Sequence, residues 1–217
     1  MFNDKFGLTQ AVLEGRKTMT RRIIEIGEYV SFPIIRFRPL EDWEKKVVNP
    51  NYVFNGHVYA VYNELDLLCH LVKPRYKVGE VVAIAQSYMD VDQFHRKGKN
   101  ADYLEYLDSI LPELKLYPGW GNKMFVKADL MPHHIKITGI KVERLQDISD
   151  EDCLKEGIIH VSTFLGQKIY HTPHVNGSYL STNVAQEAFA YLIDKVSGKG
   201  TWEENPFVWV YEFKLFD

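Results

Sequence analysis

Eight consecutive residues, Gly15-Arg-Lys-Thr-Met-Thr-Arg-Arg22, carry four cations and two hydroxyls and form the most basic stretch of the chain. Arginine and lysine at this density supply charge-assisted hydrogen bonds to phosphate or carbonyl oxygen. Arg16, Thr18, Arg21 and Arg22 are therefore candidate nucleotide or phosphate contacts, around a basic cleft centred on Lys17. The competing reading is a solvated basic segment. If Gly15 ends the preceding helix, the residues after it are extended. Lys17 and Met19 then face one way and Thr18 and Thr20 the other, unless a turn brings Lys17 and Thr20 together.

Other groupings carry less. His133 and His134 point to opposite sides of a strand. His171-Thr-Pro-His174, with His160, lacks a neighbouring Cys or carboxylate with metal-ligand geometry, so neither a metal nor another cofactor is expected. Trp120 and Trp202 could stack bases, whereas Trp209 on the terminal strand reads as core. Better stacking candidates are Tyr29, Phe32, Phe37 and Trp43, interleaved with Arg36, Arg38, Lys45 and Lys46.

The elements that must position these residues follow from periodicity. Leu8–Glu14 reads as a short helix with Leu8, Ala11 and Val12 on one face and Gly15 as its stop. Tyr52–Tyr62 reads as a hairpin turning at Asn55-Gly56, and Tyr76–Ala85 as a turn feeding a buried strand. Met124–Ala128 and Ile135–Leu145 read as strands. Ser149–Glu156 has an N-cap serine and an acidic first turn, and ends at Gly157. His160–Ser181 reads as a loop or loose hairpin. Apolar residues at 184, 185, 188, 189, 192, 193 and 196 predict an amphipathic helix, and Phe207–Leu215 a long final strand. Residues 90–123 read as a charged insertion with a short helix near Tyr103–Leu111.

Composition bounds the function. The 217 residues are 46% hydrophobic and 25% charged, which excludes disordered, collagenous and coiled-coil classes. A net charge of −3 argues against non-specific grip on long duplex nucleic acid. Any nucleic-acid role must rest on a local basic patch or on a single nucleotide. Cys69 and Cys153 are too few for a disulfide framework or a cysteine zinc site. The first residues lack the pattern of a signal peptide, and no apolar run approaches the ~20 residues of a membrane span. A cytoplasmic protein without membrane contact is expected.

The order of these motifs resembles a known family. A short helix leads into Gly15-Arg-Lys-Thr-Met-Thr-Arg-Arg22, and Lys77-Val-Gly-Glu80 opens an apolar strand. Ile137-Thr-Gly-Ile-Lys-Val-Glu-Arg-Leu-Gln-Asp-Ile-Ser-Asp-Glu-Asp-Cys-Leu-Lys-Glu-Gly157 follows. Trp202-Glu-Glu-Asn-Pro206 then approaches a final strand ending Tyr211-Glu-Phe-Lys-Leu215. Together they resemble the ASCH (activating signal cointegrator homology) domains of the PUA-like group, in particular the phage-associated bacterial members. The resemblance covers roughly residues 6–22, 76–87, 124–158 and 184–216.

The resemblance implies an α+β fold, a mostly antiparallel PUA-like β-barrel of five or six strands with flanking helices. The chain 1–217 would be one such domain with two insertions, at about 23–75 and 88–123. It implies a cleft for nucleoside, nucleotide or single-stranded RNA. Some compact members are amidohydrolases that deacetylate N4-acetylcytidine with a lysine, a threonine and a glutamate. Those positions fall on Lys17, Thr20 and Glu156, the alternative to pure binding, with ribonuclease as a third activity. Burial and the like charges of Arg16, Arg21 and Arg22 would lower the Lys17 pKa toward that of a base. Both insertions are expected to fold onto the barrel and border the Lys17 cleft.

Overall fold

A computed structural model describes residues 2, 4–26, 33–41, 43–45, 58–98, 105–106, 108–110, 112, 116, 118–173 and 179–216. The chain is mixed α and β, and every strand pairing described is antiparallel. In chain order the elements are α1 (Leu8–Leu13), β1 (Met19–Ile23), β2 (Ile34–Pro39), β3 (Tyr59–Asn63), β4 (Leu68–Val72), β5 (Val81–Ala83) and α2 (Tyr88–Gly98). There follow β6 (His134–Arg144), α3 (Asp150–Lys155), β7 (Ile159–Phe164), β8 (Gln167–His171) and β9 (Ser181–Thr182). The chain closes with α4 (Ala185–Ser197), α5 (Thr201–Glu204) and β10 (Phe207–Leu215).

The central sheet has the order β1-β10-β6-β5; β2-β3-β4 and β7-β8-β9 form two smaller sheets. The last strand is thus interior to its sheet. Phe207-Val-Trp-Val-Tyr211 is apolar without a break because both of its faces are covered. Val208 and Val210 join Met19, Leu145, Ile148, Cys153, Phe189 and Leu192 in a core beneath α3 and α4. Trp209, Tyr211 and Phe213 join Ile135, Ile137, Ile84 and Tyr59 on the other side. Glu212 opposes Gly139 and Phe213 opposes Ile137, so β6 carries Thr138 as an extra residue, a bulge.

Local chemistry explains the elements. Buried Leu8, Ala11 and Val12 recur at helical spacing in α1, and Gly15 takes the left-handed conformation (φ 71°) that ends the helix. Ser149 Oγ accepts from the Asp152 amide at 3.2 Å and caps α3. In α4 the buried residues Ala185, Ala188, Phe189, Leu192 and Ile193 repeat at i, i+3, i+4, i+7 and i+8. Gly157, at φ 109°, closes α3, and a Cβ there would sit 3.3 Å from Leu8 Cδ2. A side chain is strained at that φ, and Leu8 would have to give way to admit it.

Two elements differ from the sequence reading. Residues 124–128 are not a strand: Asn122 Oδ1 accepts from the Met124 amide at 2.8 Å, Phe125 is left-handed at φ 63°, and Ala128–Leu130 is a 3-10 turn. An Asn side chain capturing a backbone N–H two residues on diverts the chain into a turn. Helix α2, read only as charged insertion, is nucleated by a reciprocal cap: Ser87 Oγ accepts from the Asp90 amide and donates to Asp90 Oδ2. The turn at Asn55-Gly56 lies outside the described residues, as does most of the helix expected near 103–111. The second arm of that hairpin is β3, paired with both β2 and β4. Residues 159–171 form a true hairpin, β7–β8. No helix among the described residues is long and apolar enough to cross a membrane.

Candidate functional site

The basic segment is clamped between two helices before it enters the sheet. The Lys17 amide donates to Ala11 O and the Thr18 amide to Lys155 O, each at 2.9 Å. From Met19 onward the chain is β1, and its side chains alternate. Met19 and Arg21 face α3 and α4, with Arg21 Nη1 3.3 Å from Met19 Sδ and its guanidinium 5.8 Å from the centre of the Phe189 ring. Thr20 and Arg22, opposite Tyr211 and Trp209 in register, face the other way.

On the helix side lies a buried ionic cluster. Lys17 Nζ donates to Glu156 Oε2 at 2.6 Å and to Glu156 O at 2.8 Å, and Lys17 is only 2% exposed. Arg21 donates to Glu156 Oε1 at 3.1 Å, to Glu143 Oε1 through both Nε and Nη2, and to Asp152 Oδ2 at 3.3 Å. Lys141 pairs with Glu143 and Lys155 with Asp152 at the rim. Glu143 comes from β6, and Asp152 and Glu156 from α3 and its C-terminal cap, so capping of α3 fixes where the latter two stand. Burial drives the Lys17 ammonium pKa below its ordinary value, and Glu156 beside it opposes that shift. The Asp152 carboxyl feels burial in the opposite sense, but the hydrogen bond from Lys155 and the charges of Lys141, Lys155 and Arg21 hold it below its usual range.

On the opposite face of the same sheet is a cleft of about 1090 Å³. Its floor is Trp209, Tyr211, Phe213, Ile135 and Ile137. Thr20, Arg22 and Ile24 form one wall, Val82–Ala85 another, and the segment Val72-Lys-Pro-Arg-Tyr76 crosses it. The Arg75 amide donates to Tyr211 Oη at 2.9 Å, which ties that segment to the floor. Tyr76 meets Tyr211 edge-on with ring centres 5.5 Å apart, and Phe2 closes over Phe213. Arg22, Lys73 and Arg75 are exposed. Among the described residues, neither Lys73 nor Arg75 is held by a carboxylate. Among the described residues lining the cleft, Glu25 is the one acid.

The sequence-predicted residues therefore divide. Lys17, Arg21 and Glu156 come together under the helices, and Thr20 and Arg22 line the cleft. Neither Lys17 nor Glu156 lines it. Arg16 is exposed and paired with Glu14, and the Thr18 carbonyl accepts from the Phe213 amide. Of the aromatic and basic residues expected to stack bases, Trp43 stands exposed, whereas three others are occupied. Phe37 packs on Phe207, Arg38 is paired with Glu44 and with Tyr62 Oη, and Arg36 lies over Tyr62; Tyr29, Phe32 and Lys46 lie outside the described residues. Of the first insertion, residues 23–25 and 72–75 border the cleft. The described residues of the second contribute nothing to its lining and pack instead around Tyr88, Val91, Leu130 and Met131.

Sequence reasoning missed Glu143, Lys73, Arg75 and Tyr76. Lys73-Pro-Arg-Tyr76 carried a signal, two cations and an aromatic around a proline, and the one-sided run Trp209, Tyr211, Phe213 carried another. Among the described residues no group of three His, Cys, Asp or Glu side chains is placed to hold a metal. Comparison with known protein families, curated proteins and solved structures finds no match to this chain.

Proposed function

We propose that this chain is an ASCH-type, PUA-like module that binds a nucleotide or a short piece of single-stranded RNA in the cleft between β1 and the 72–76 segment. The observation that carries this reading is a cleft that brings half-buried Tyr76 together with the exposed cations Arg22, Lys73 and Arg75. Trp209 and Tyr211, buried in the core, close its floor, and Tyr76 is the aromatic ring left partly open to a ligand. Aromatic surface accepts a base with little regard to its identity, and guanidinium groups grip phosphate through paired N–H donors. The volume, about 1090 Å³, lies just above the roughly 300–1,000 Å³ of most small-molecule sites. The antiparallel central sheet, with its C-terminal strand interior and helices on one face, is compatible with a PUA-like arrangement. Two free cysteines fit a reducing, cytoplasmic setting.

The test is a titration of the protein with nucleotides and with a mixed single-stranded RNA, followed by tryptophan fluorescence at low and moderate salt. Saturable, salt-weakened binding that falls at least tenfold in Arg22→Ala supports the reading. No response from any of these compounds at millimolar concentration overturns it.

A second reading has its own observation. Lys17 and Glu156 meet, and burial lowers the Lys17 pKa, as an amidohydrolase acting on N4-acetylcytidine would require of its base. It ranks second because Thr20, the hydroxyl it needs, faces the cleft on the other side of β1. Deacetylation lost in both Lys17→Ala and Thr20→Ala would reverse that ranking. Strand scission during the RNA titration would bring in the ribonuclease reading.

A further inference from the structure

Among the described residues the central sheet ends at β1 on one side and at β5 on the other, and both margins border the cleft. We infer that the outer margin of β5 reads the ligand's base, with Ala83 C=O and Ala85 N–H bonded to the pairing edge of a nucleobase. This step rests on the binding reading above. The cleft is lined by the consecutive runs 22–25 and 82–85. Successive side chains of a strand point to opposite faces. An unbroken run of lining residues therefore means that the cavity meets the margin of each strand, main chain included.

Hydrogen-bond parity says which main-chain groups the β5 margin presents. The Ile84 amide donates to His133 O at 2.8 Å and the Ile137 amide to Glu80 O at 2.9 Å, with Val82 opposite Ile135. In an antiparallel ladder alternate residues bond the partner strand, and those between them turn N–H and C=O away. Ala83 is one of the latter. The Gln86 amide turns back to Met131 Sδ at 3.2 Å, which leaves Ala85 facing outward like Ala83. Among the described residues no backbone group meets either alanine amide, and the 72–76 segment crosses without bonding them. Gln86 itself is 8% exposed, and its Oε1 has no partner among the described residues. Buried polar groups are rarely left unmet, so this end of β5 brings polar groups short of partners to the wall of a cavity. Because residues 83 and 85 are alanines, a flat ring can come close to the main chain, whereas Ile23 on the β1 margin carries a branched side chain. Half-buried Tyr76 supplies ring surface in the same cavity. A carbonyl and the amide two residues on set an acceptor beside a donor. An amino group next to a ring nitrogen, or a ring N–H next to an oxo group, completes that pair.

The experiment is calorimetric titration with the four common ribonucleoside 5′-monophosphates and with counterparts methylated on the pairing edge. These are the monophosphates of N6,N6-dimethyladenosine, N4,N4-dimethylcytidine, 1-methylguanosine and 3-methyluridine. At least one unmodified nucleotide should bind about tenfold or more tightly than its methylated counterpart. Ala85→Pro removes the outward N–H and breaks no bond to β6, a change that sheet margins tolerate. It should weaken that nucleotide about tenfold and leave the methylated counterpart nearly unchanged, whereas added bulk alone would weaken both alike. Equal affinity within every pair, or an equal loss for both ligands in Ala85→Pro, overturns the inference and leaves the cleft reading standing. Silence from every nucleotide removes both. Thermal melts guard against misfolding of the proline variant. If it melts early, amide hydrogen exchange at Ala85 in the unaltered protein decides: the bound nucleotide should slow it, and the methylated counterpart at equal occupancy should not.

Discussion

Lys17 Nζ lies 2.6 Å from Glu156 Oε2, with 139 residues of chain between them. Both side chains are almost wholly buried, and Glu156 also accepts from Arg21. Removing one partner of such a pair strands a charge in a poorly solvated site, typically at a cost of about 3–5 kcal/mol. Glu156 serves two buried cations, whereas Lys17 gives its hydrogen bonds to Glu156 alone. Glu156→Ala should therefore cost more stability in denaturant titrations than Lys17→Met. The double variant should fall short of the sum of the two by about 0.5–3 kcal/mol. Lys17→Met as the costlier change would mean that the pair is not the centre of the cluster.

Arg21 and Arg22 are chain neighbours with opposite duties. Arg21 is enclosed by Glu143, Asp152 and Glu156, so Arg21→Ala should destabilise the fold by about 3–5 kcal/mol. Arg22 stands on the cleft side, and Arg22→Ala should change stability by about 1 kcal/mol or less while weakening nucleotide binding. Urea midpoints and ligand titrations on the two variants should give opposite patterns. Equal losses of stability would contradict the alternation of β1.

Tyr59 and Tyr211 make the protein sensitive to alkali. Burial pushes both phenols above their ordinary value of 10.0. The unfolded chain then ionises these groups first, so the stability they confer is complete below about pH 10 and is lost as pH rises through their folded values. Unfolding midpoints should drop as the pH rises past about 10, and the drop should be shallower in Tyr59→Phe and Tyr211→Phe. An equally steep fall in both variants would assign alkaline unfolding to other groups.

The two thiols should differ sharply in reactivity. Burial raises the Cys153 thiol to about 12, and its side chain lies inside the core under α4. Cys69 is half-buried on β4. A disulfide reagent should label one thiol per native chain and two in denaturant, with Cys153 slower in the native state by on the order of 100-fold or more. Two thiols labelled at one rate in the native protein would mean that the α3–α4 core opens readily.

What the sequence determined by itself is local. Helical spacing and caps marked α1, α3 and α4 to within a residue or two, because an N-cap serine, a left-handed glycine and an i, i+3, i+4 stripe all act within a turn or so of helix. Alternation marked β6 for the same reason, and a long apolar run after Asn205-Pro206 marked β10. Where a side chain intervenes locally the pattern misleads: Asn122 turned an apparent strand at 124–128, and the Ser87–Asp90 cap built α2 from residues that looked merely charged. The basic segment was equally legible as composition, but which way each cation points was not. That depended on β1 entering the sheet beside β10, with Thr20 opposite Tyr211 and Arg22 opposite Trp209. Only this register sends Arg21 to three carboxylates from distant parts of the chain and Arg22 to an aromatic cleft closed by residues 72–76. A shift of one residue in that pairing would exchange the two faces, and nothing within Gly15–Arg22 itself sets it.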